Sequence, residues 1–203
     1  TREARALLGG DLELRSSHPL SSDGQEVLRA LDQRGIIVTH VSELVAMASR
    51  TGLEKAAGQA TQIVELKAVE PAYPLYGTLK LEPAQSLDRL LQPDASLCQG
   101  TRCHGAVVQE ALLLRMGLAV GSRLKIGQAE FLITALVRIE PDRMANAFSL
   151  GPRIIISQEG LQAAALIKPG SRVRERQLLK LPPGLPLEPL RGELRGRLAV
   201  EHV

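Results

Sequence analysis

The feature that most constrains this fold is a strand–helix–strand pattern at each end of the chain. Near the start, residues 11–15 alternate polar and apolar side chains, which is the two-residue period of a half-buried strand. Residues 22–35 then carry a helix pattern with a cap at Ser22 or Asp23, and residues 36–47 follow as a strand.

The end of the chain repeats this order. Alternation predicts a strand over residues 172–181, a helix is predicted over residues 187–195, and residues 198–203 are predicted to form a closing strand. Two such halves can pair into one sheet with helices on one face, which is a split βαβ arrangement.

The middle of the chain is mostly β in pattern. Its predicted elements are a strand at 62–69, a short strand at 78–81, a helix at 107–116, a hairpin of 120–126 and 129–139, a strand at 153–157, and a helix at 158–166 capped by Ser157. We therefore predict an α+β fold with one lobe made of residues 1–60 plus 170–203 and an inserted β-rich lobe of residues 61–169.

Composition excludes two classes of binding surface. Aromatic residues make up 2% of the chain and there is no tryptophan, so platforms that stack on sugars or bases are not expected. The formal charge of +3 comes from 25 basic and 22 acidic residues spread along the chain, which is typical of a solvated surface. We predict no nucleic-acid partner and a core built from aliphatic side chains.

Motifs for catalysis are absent from the sequence. The chain has no phosphate-binding loop, no G-x-S-x-G and no H-E-x-x-H, so no ATP site of the P-loop kind is expected. The four histidines, His18, His40, His104 and His202, are scattered, and a structural or solvent-facing role is favoured for each. We predict no catalytic residue, no cofactor and no metal site.

Two cysteines, Cys98 and Cys103, lie in a polar segment that contains glycine. Their four-residue separation suits a loop-closing disulfide, and it differs from the two-residue spacing of zinc knuckles. His104 offers a third metal ligand, but no fourth is nearby in the sequence. A disulfide, two free thiols and a metal site all remain open, and a disulfide would indicate an oxidising compartment.

One group of arginines follows the strand period. Arg172, Arg174 and Arg176 alternate along the predicted strand and therefore project to a single face of the sheet. This face is either solvated or a patch for an acidic partner, and the solvated surface is favoured.

The chain begins with Thr1 in a helical pattern and has no secretory signal pattern. No run approaches the roughly 18 apolar residues that a membrane span requires. We expect a water-soluble fragment of a larger protein.

Several segments together resemble YbbP-type ABC transporter permeases of the MacB/FtsX superfamily. They occur in the same order over nearly the whole chain, at residues 6–20, 64–69, 73–77, 118–127, 148–153 and 166–174. The block at 118–127 is similar to the glycine-turn hairpin that is widespread in that superfamily. The pair Cys98 and Cys103 departs from the pattern.

The resemblance implies the extracytoplasmic, periplasmic domain of an inner-membrane permease. In such a domain the lobe formed by the chain ends would be porter-like, with membrane helices flanking residues 1 and 203. The resemblance further implies a homodimeric permease, a separate cytoplasmic ATPase subunit, and a non-enzymatic role in transmitting conformational change to move lipid-like or hydrophobic compounds. A periplasmic esterase or lysophospholipase is the implied additional partner.

Two other functions compete with this one. A transmitting domain is expected to have two lobes, no buried polar pocket and no tight small-molecule site. A binding module for a hydrophobic ligand or the esterase partner instead requires an exposed apolar groove. A stand-alone hydrolase requires convergent titratable groups in a cleft.

Overall fold

The elements of the fold are taken from a computed structural model, which describes residues 8–51, 58–98, 103–142 and 150–201. The strands are β1 (Leu12–Ser16), β2 (Ile37–Arg50), β3 (Thr61–Val69), β4 (Lys80–Glu82), β5 (His104–Val108), β6 (Arg123–Ile126), β7 (Ala129–Ile139), β8 (Arg153–Ser157) and β9 (Arg174–Lys180). The helices are α1 (Ser22–Arg29), α2 (Leu87–Leu91), α3 (Glu110–Met116), α4 (Gln158–Ala164) and α5 (Leu187–Arg197). Short 3₁₀ turns span Ala30–Arg34, Ala95–Cys98 and Ala199–Glu201.

The nine strands found in the described residues belong to one mixed sheet. Its main order is β1-β9-β2-β3-β8-β5-β7-β4, and β6 pairs with both β2 and β7. The pairs β3–β8 and β5–β7 are parallel, and the others are antiparallel. Because β6 joins β7 back to β2, the strands β2, β3, β8, β5, β7 and β6 form a closed ring, and β1 and β9 extend the sheet from β2.

The inside of this ring is the main hydrophobic core. Alternate residues of each strand point inward, as the two-residue period of a strand requires, and α3 and α4 close the core with apolar side chains. The buried members include Val64, Leu66, Ala106, Leu112, Phe131, Ile133, Ile154, Ile156 and Leu161. The aliphatic core that composition predicted is therefore confirmed, with a single aromatic ring, Phe131, in this cluster.

The two ends of the chain meet in one layer. Strands β1 and β9 pair along their whole length, and β9 pairs with the first half of β2. Helix α1, the 3₁₀ turn that follows it and helix α5 pack on the same face of this layer, against Leu179 of β9; their buried contacts are Leu28, Leu31, Leu190 and Leu194. The predicted α+β class, with the chain ends joined under helices, is confirmed.

The closing strand predicted at residues 198–203 is wrong. The chain forms a 3₁₀ turn over Ala199–Glu201 instead, and residues 202–203 lie outside the described part. Two contacts explain the turn: Leu198 is buried against the helical layer, and the Glu201 carboxylate accepts hydrogen bonds from the backbone N and the hydroxyl of Ser21. This carboxylate lies at the start of α1, where the helix dipole favours negative charge.

The helix predicted over residues 107–116 is also partly wrong. Val107 and Val108 belong to strand β5, and the helix spans Glu110–Met116. Val107 packs on the outer face of the sheet and Val108 inside the ring, so the strand is apolar on both faces and lacks the alternation that marks a half-buried strand.

Other local predictions hold. The β6–β7 hairpin forms, and its turn residue Gly127 has φ 57°, a conformation that favours glycine. The Ser157 hydroxyl caps α4 by accepting from the Gly160 N at 3.0 Å. The cap of α1 is Ser21, one residue earlier than predicted, and its hydroxyl accepts from the Gly24 N at 3.2 Å.

Candidate functional site

The outer face of the sheet carries a buried cluster of charged residues, here called the ion network. Adjacent strands place them side by side: in the β2–β3 register Glu43 lies opposite Lys67, and β8 contributes Arg153 beside β3. The members of the network are Glu13, Glu43, Lys67, Tyr73, Glu140, Asp142, Arg153 and Arg176.

Lys67 is the centre of the network and is 0% exposed. Its Nζ donates to the Tyr73 hydroxyl at 2.8 Å, to Glu140 Oε1 at 2.7 Å and to Asp142 Oδ1 at 2.7 Å. An ammonium group has three hydrogens to donate, so these partners use its whole capacity. Full pairing is what makes the burial of such a charge tolerable, because an unpaired buried ion costs several kcal/mol.

Asp142 is the main acceptor. Besides Lys67, its carboxylate accepts from the Tyr73 hydroxyl at 2.5 Å and from Arg176 Nη1 at 3.0 Å. Burial by itself raises the pKa of Asp142, but the charge and hydrogen bond of Lys67 outweigh it and lower the pKa to about 2. Burial and the negative charges of Asp142 and Glu140 raise the pKa of Tyr73, so its hydroxyl stays protonated and donates.

The network connects the chain-end layer, which is formed by β1, β9 and the first half of β2, to the closed ring of strands. Arg176 of β9 donates from Nε to Glu13 of β1 at 2.5 Å and from Nη1 to Asp142, which follows β7. Arg153 of β8 donates from Nε to Glu140 Oε2 at 3.2 Å. Burial alone would lower the pKa of Arg176, but its bonds to Glu13 raise it, so the side chain stays charged.

The ion network corrects one prediction from the sequence. Arg176 was placed on a solvated face, but it is buried, while Arg174 on the same strand face is exposed and lies 3.8 Å from Glu43. Sequence reasoning missed Lys67 and Asp142 altogether. The available signal for a buried charge was that Lys67 lies between the apolar residues Leu66 and Ala68 of one strand. A lysine in a strand is usually solvated, so this signal alone does not predict burial.

A groove of about 1,090 Å³ lies on the opposite face of β2 and β9, between α1 and α4. Its apolar walls are Leu20, Leu28, Ile36, Leu161 and Ile167. The polar floor is formed by His40, Ser42, Glu70, Gln158, Glu175 and Gln177. This groove is open to solvent at Ile37 and Ile167, so the absence of a buried polar pocket in a transmitting domain stays a prediction.

The floor residues are bonded to one another. Glu175 Oε2 accepts from the Ser42 hydroxyl at 2.6 Å and lies 2.6 Å from His40 Nε2. The backbone N of His40 donates to Glu70 Oε2 at 2.7 Å, and Gln158 Nε2 donates to the Ser42 oxygen at 3.1 Å.

This trio of serine, histidine and acid does not have the geometry of a hydrolase triad. In a triad the serine and the carboxylate bind opposite nitrogens of the imidazole ring. Here Ser42 at 3.3 Å and Glu175 at 2.6 Å both meet Nε2, and Ser42 is fully buried. The trio therefore does not present an activated nucleophile, and His40 is the only one of the three whose side chain keeps appreciable exposure, at 25%.

The other residues singled out in the sequence do not join this site. His18 is exposed, the ring of His104 lies 5.8 Å from that of Phe131, and His202 falls outside the described residues.

The Cα atoms of Cys98 and Cys103 are 5.7 Å apart, a separation that a disulfide can bridge. Within residues 8–51, 58–98, 103–142 and 150–201, no group of three or more metal-ligating side chains is suitably placed.

Among known proteins, the chain is similar to ABC transporter permeases. One relative is the uncharacterized ABC transporter permease YbbP of Escherichia coli (strain K12), which is 28% identical over 176 residues. The resemblance read from the sequence is thereby confirmed. The match covers 87% of this chain and 19% of the relative, so the chain spans less than a fifth of that permease.

The chain also resembles a permease domain whose structure has been solved. A domain of a permease protein from Porphyromonas gingivalis has a TM-score of 0.48 and 15% identity, covering 85% of this chain and 68% of that one, and this likeness carries no argument about function. No protein-family model matches the chain. In the part of the chain that the structure describes, no helix is long and apolar enough to cross a membrane.

Proposed function

We propose that this chain is the extracytoplasmic domain of an ABC transporter permease and that it transmits conformational change during transport. The permease would move or extrude a lipid-like or hydrophobic compound, with energy from a separate cytoplasmic ATPase subunit. The similarity to YbbP over most of the chain supports the permease assignment. The domain would act without catalysing a reaction.

The observation that carries the proposal is the ion network joining the chain-end layer to the ring. Removing one member of a buried ion pair typically costs about 3–5 kcal/mol, so sliding β9 away from Asp142 and Lys67 would be opposed by a similar free energy. Strand β2 adds a covalent link, since its 14 residues pair with β9 at one end and with β6 at the other. The two parts would therefore move together.

The position of the chain ends suits this role. Strands β1 and β9 are neighbours, so a displacement entering from either end of the chain would reach the same layer. In the proposed division, residues 1–60 plus 170–203 form the porter-like lobe and residues 61–169 form the inserted lobe, with β2 as the strand that bridges them. Membrane helices would flank residues 1 and 203.

The proposal includes a location and partners. The permease would lie in the inner membrane as a homodimer, with this domain on the periplasmic side and a periplasmic esterase or lysophospholipase as a further partner. A disulfide between Cys98 and Cys103 agrees with that oxidising compartment.

Distance measurements on the full-length permease with its ATPase, reconstituted in lipid nanodiscs, test the proposal. Spin labels are placed on cysteines introduced at Val200 and Leu114, which are highly exposed and lie after α5 and on α3. Subunits labelled at both sites and diluted with unlabelled subunits report distances within one domain, and singly labelled dimers report distances between domains.

We expect the distance between domains to change when ATP is added, while the distance within one domain stays the same. A control with a catalytically inactive ATPase subunit separates ATP binding from hydrolysis. If neither distance responds to nucleotide, the domain does not transmit motion. If the distance within one domain changes instead, the rigid connection through the ion network is wrong.

A second function, binding of a hydrophobic ligand, is favoured by the groove. Two of its lining residues, Ile37 and Ile167, are 47% and 38% exposed, so apolar surface is already open to solvent there. Saturable binding of an acyl-chain probe to the chain, lost on changing these two residues to serine, would support this function. Absence of saturable binding would refute it.

A further inference from the structure

We propose that the groove binds a single-chain amphiphile whose head group is a cation, such as an alkylammonium. This inference rests on the second function proposed above, that the groove holds a hydrophobic ligand, and adds the charge of that ligand. The ligand would be taken up as a free molecule from the aqueous phase.

The walls of the groove fit an alkyl chain. Leu28 and Ile36 lie on the α1 side, and Leu161 and Ile167 lie on the α4 side, so apolar surface faces the cavity from both directions. Its volume of about 1,090 Å³ slightly exceeds the range of about 300–1,000 Å³ for small-molecule sites. An extended apolar chain can therefore lie between the two helices without displacing either.

The charge of the groove opposes that of the whole chain. Among the residues that the structure describes, its lining includes three carboxylates, Asp32, Glu70 and Glu175, and one arginine, Arg29, with no lysine. With His40 neutral, the lining carries a net charge of −2, whereas the chain as a whole carries +3. A low-dielectric cleft with one sign of charge concentrates ligands of the opposite sign.

The floor also offers acceptors that are not already used. Glu70 and Glu175 each bind their neighbours through Oε2. Neither Oε1 makes a hydrogen bond within the residues that the structure describes. Glu175 is only 2% exposed whereas Glu70 is half-buried, so Glu70 is the carboxylate that a head group can reach. An ammonium head group donates hydrogen bonds and carries the complementary charge. A carboxylate head group would meet two carboxylates of its own sign.

Calorimetric titration of the 203-residue chain tests this inference. The probes are dodecylammonium, laurate and the neutral dodecyl maltoside, each below its critical micelle concentration and at pH 8, where an ordinary histidine is neutral. We expect saturable binding of dodecylammonium with one site per chain, and at least tenfold weaker binding of laurate. Dodecyl maltoside should fall between these two probes.

Two kinds of variant separate the head-group contact from the tail contact. Glu70→Gln keeps an acceptor for the His40 backbone N and removes the negative charge. It should therefore lower the affinity for dodecylammonium about 3–10-fold and reduce the ratio of the dodecylammonium affinity to the laurate affinity. Ile37→Ser and Ile167→Ser should weaken both charged probes by similar factors. The matched controls are Glu130→Gln on β7 and Val200→Ser, both exposed and outside the groove, and both should leave binding unchanged.

The outcomes separate the preference for a cationic ligand from the binding function on which it rests. Laurate binding as tightly as dodecylammonium, or an unchanged ratio in Glu70→Gln, would overturn the charge preference and leave the hydrophobic site intact. If none of the three amphiphiles binds saturably, both the cationic ligand and the binding function are refuted. The transmission of motion is tested separately by the distance measurements.

Discussion

Replacing Lys67 with methionine measures the energetic weight of the ion network. The variant keeps an unbranched apolar side chain in β3 and removes the ammonium group that contacts Glu140 and Asp142 at 2.7 Å each. Those carboxylates have only 3% and 1% of their side-chain surface exposed, so water cannot replace the lost cation. We expect the free energy of unfolding at pH 7 to fall by about 3–5 kcal/mol.

The pH dependence gives this prediction a second, independent signature. In the native protein the pKa of Asp142 is about 2, below its ordinary 3.8, so the ionised form stabilises the fold above about pH 4 and that stabilisation is lost as the pH falls toward 2. Without Lys67, the charge and hydrogen bond that lower the pKa of Asp142 are lost, so the effect of burial raises this pKa. Protonation then relieves the unpaired charge, and the deficit relative to the native protein should shrink between pH 7 and pH 4.

Urea unfolding followed by far-UV circular dichroism at pH 7 and pH 4 provides the assay. Lys125→Met serves as the matched control, because Lys125 is exposed on β6, and its change should stay within about 0.5 kcal/mol. A deficit below about 1 kcal/mol for Lys67→Met at pH 7, or one that is the same at both pH values, would refute the reasoning and with it the rigid connection between layer and ring.

Three further predictions concern stability. The native protein should lose about 2 kcal/mol of unfolding free energy between pH 4 and pH 2, because the pKa of Asp142 is lowered from 3.8 to about 2, and Asp142→Asn should abolish this loss. An unfolding free energy of the native protein that stays constant between pH 4 and pH 2 would contradict this prediction. In Gly105→Ala the new Cβ would lie 1.9 Å from the Leu90 oxygen, so thermal unfolding should show a loss of about 1–3 kcal/mol; Gly192→Ala in α5, with nothing within 4 Å, should gain about 0.5–1 kcal/mol, and equal effects would be inconsistent with the packing. Cys98→Ser should cost about 2 kcal/mol by opening a short disulfide loop, and a stability unaffected by both this change and a reducing agent would argue against the bond.

Local patterns were sufficient for long strands and for a helix cap formed by residues close in sequence. The alternation of β3 and β7 and the serine cap of α4 depend on residues close in sequence, and all three were predicted close to their observed bounds. The rule failed at β5, where Val107 and Val108 are buried on opposite faces and the polar half of the pattern is missing. It failed again at residues 198–203, where a contact to Ser21, 180 residues away, decides the conformation.

The two candidate sites were not predictable from spacing. Lys67 and Asp142 are 75 residues apart, and His40 and Glu175 are 135 residues apart. Each residue taken alone gives no sign of a buried cluster, since lysine, aspartate and glutamate are mostly exposed in proteins and histidine is intermediate. The similarity to permeases found in the sequence supplied a role for the domain, but it did not indicate these clusters.

The sequence alone determined the aliphatic core, most of the strands, the cap of helix α4 and the resemblance to ABC transporter permeases. These features depend on composition, on short-range periodicity and on the order of segments. The tertiary structure decided how the sheet closes through β6, which arginine is buried, and where the ion network and the groove lie. Those features arise from pairing between strands far apart in the chain, and no local pattern records which distant charge will neutralise a buried one.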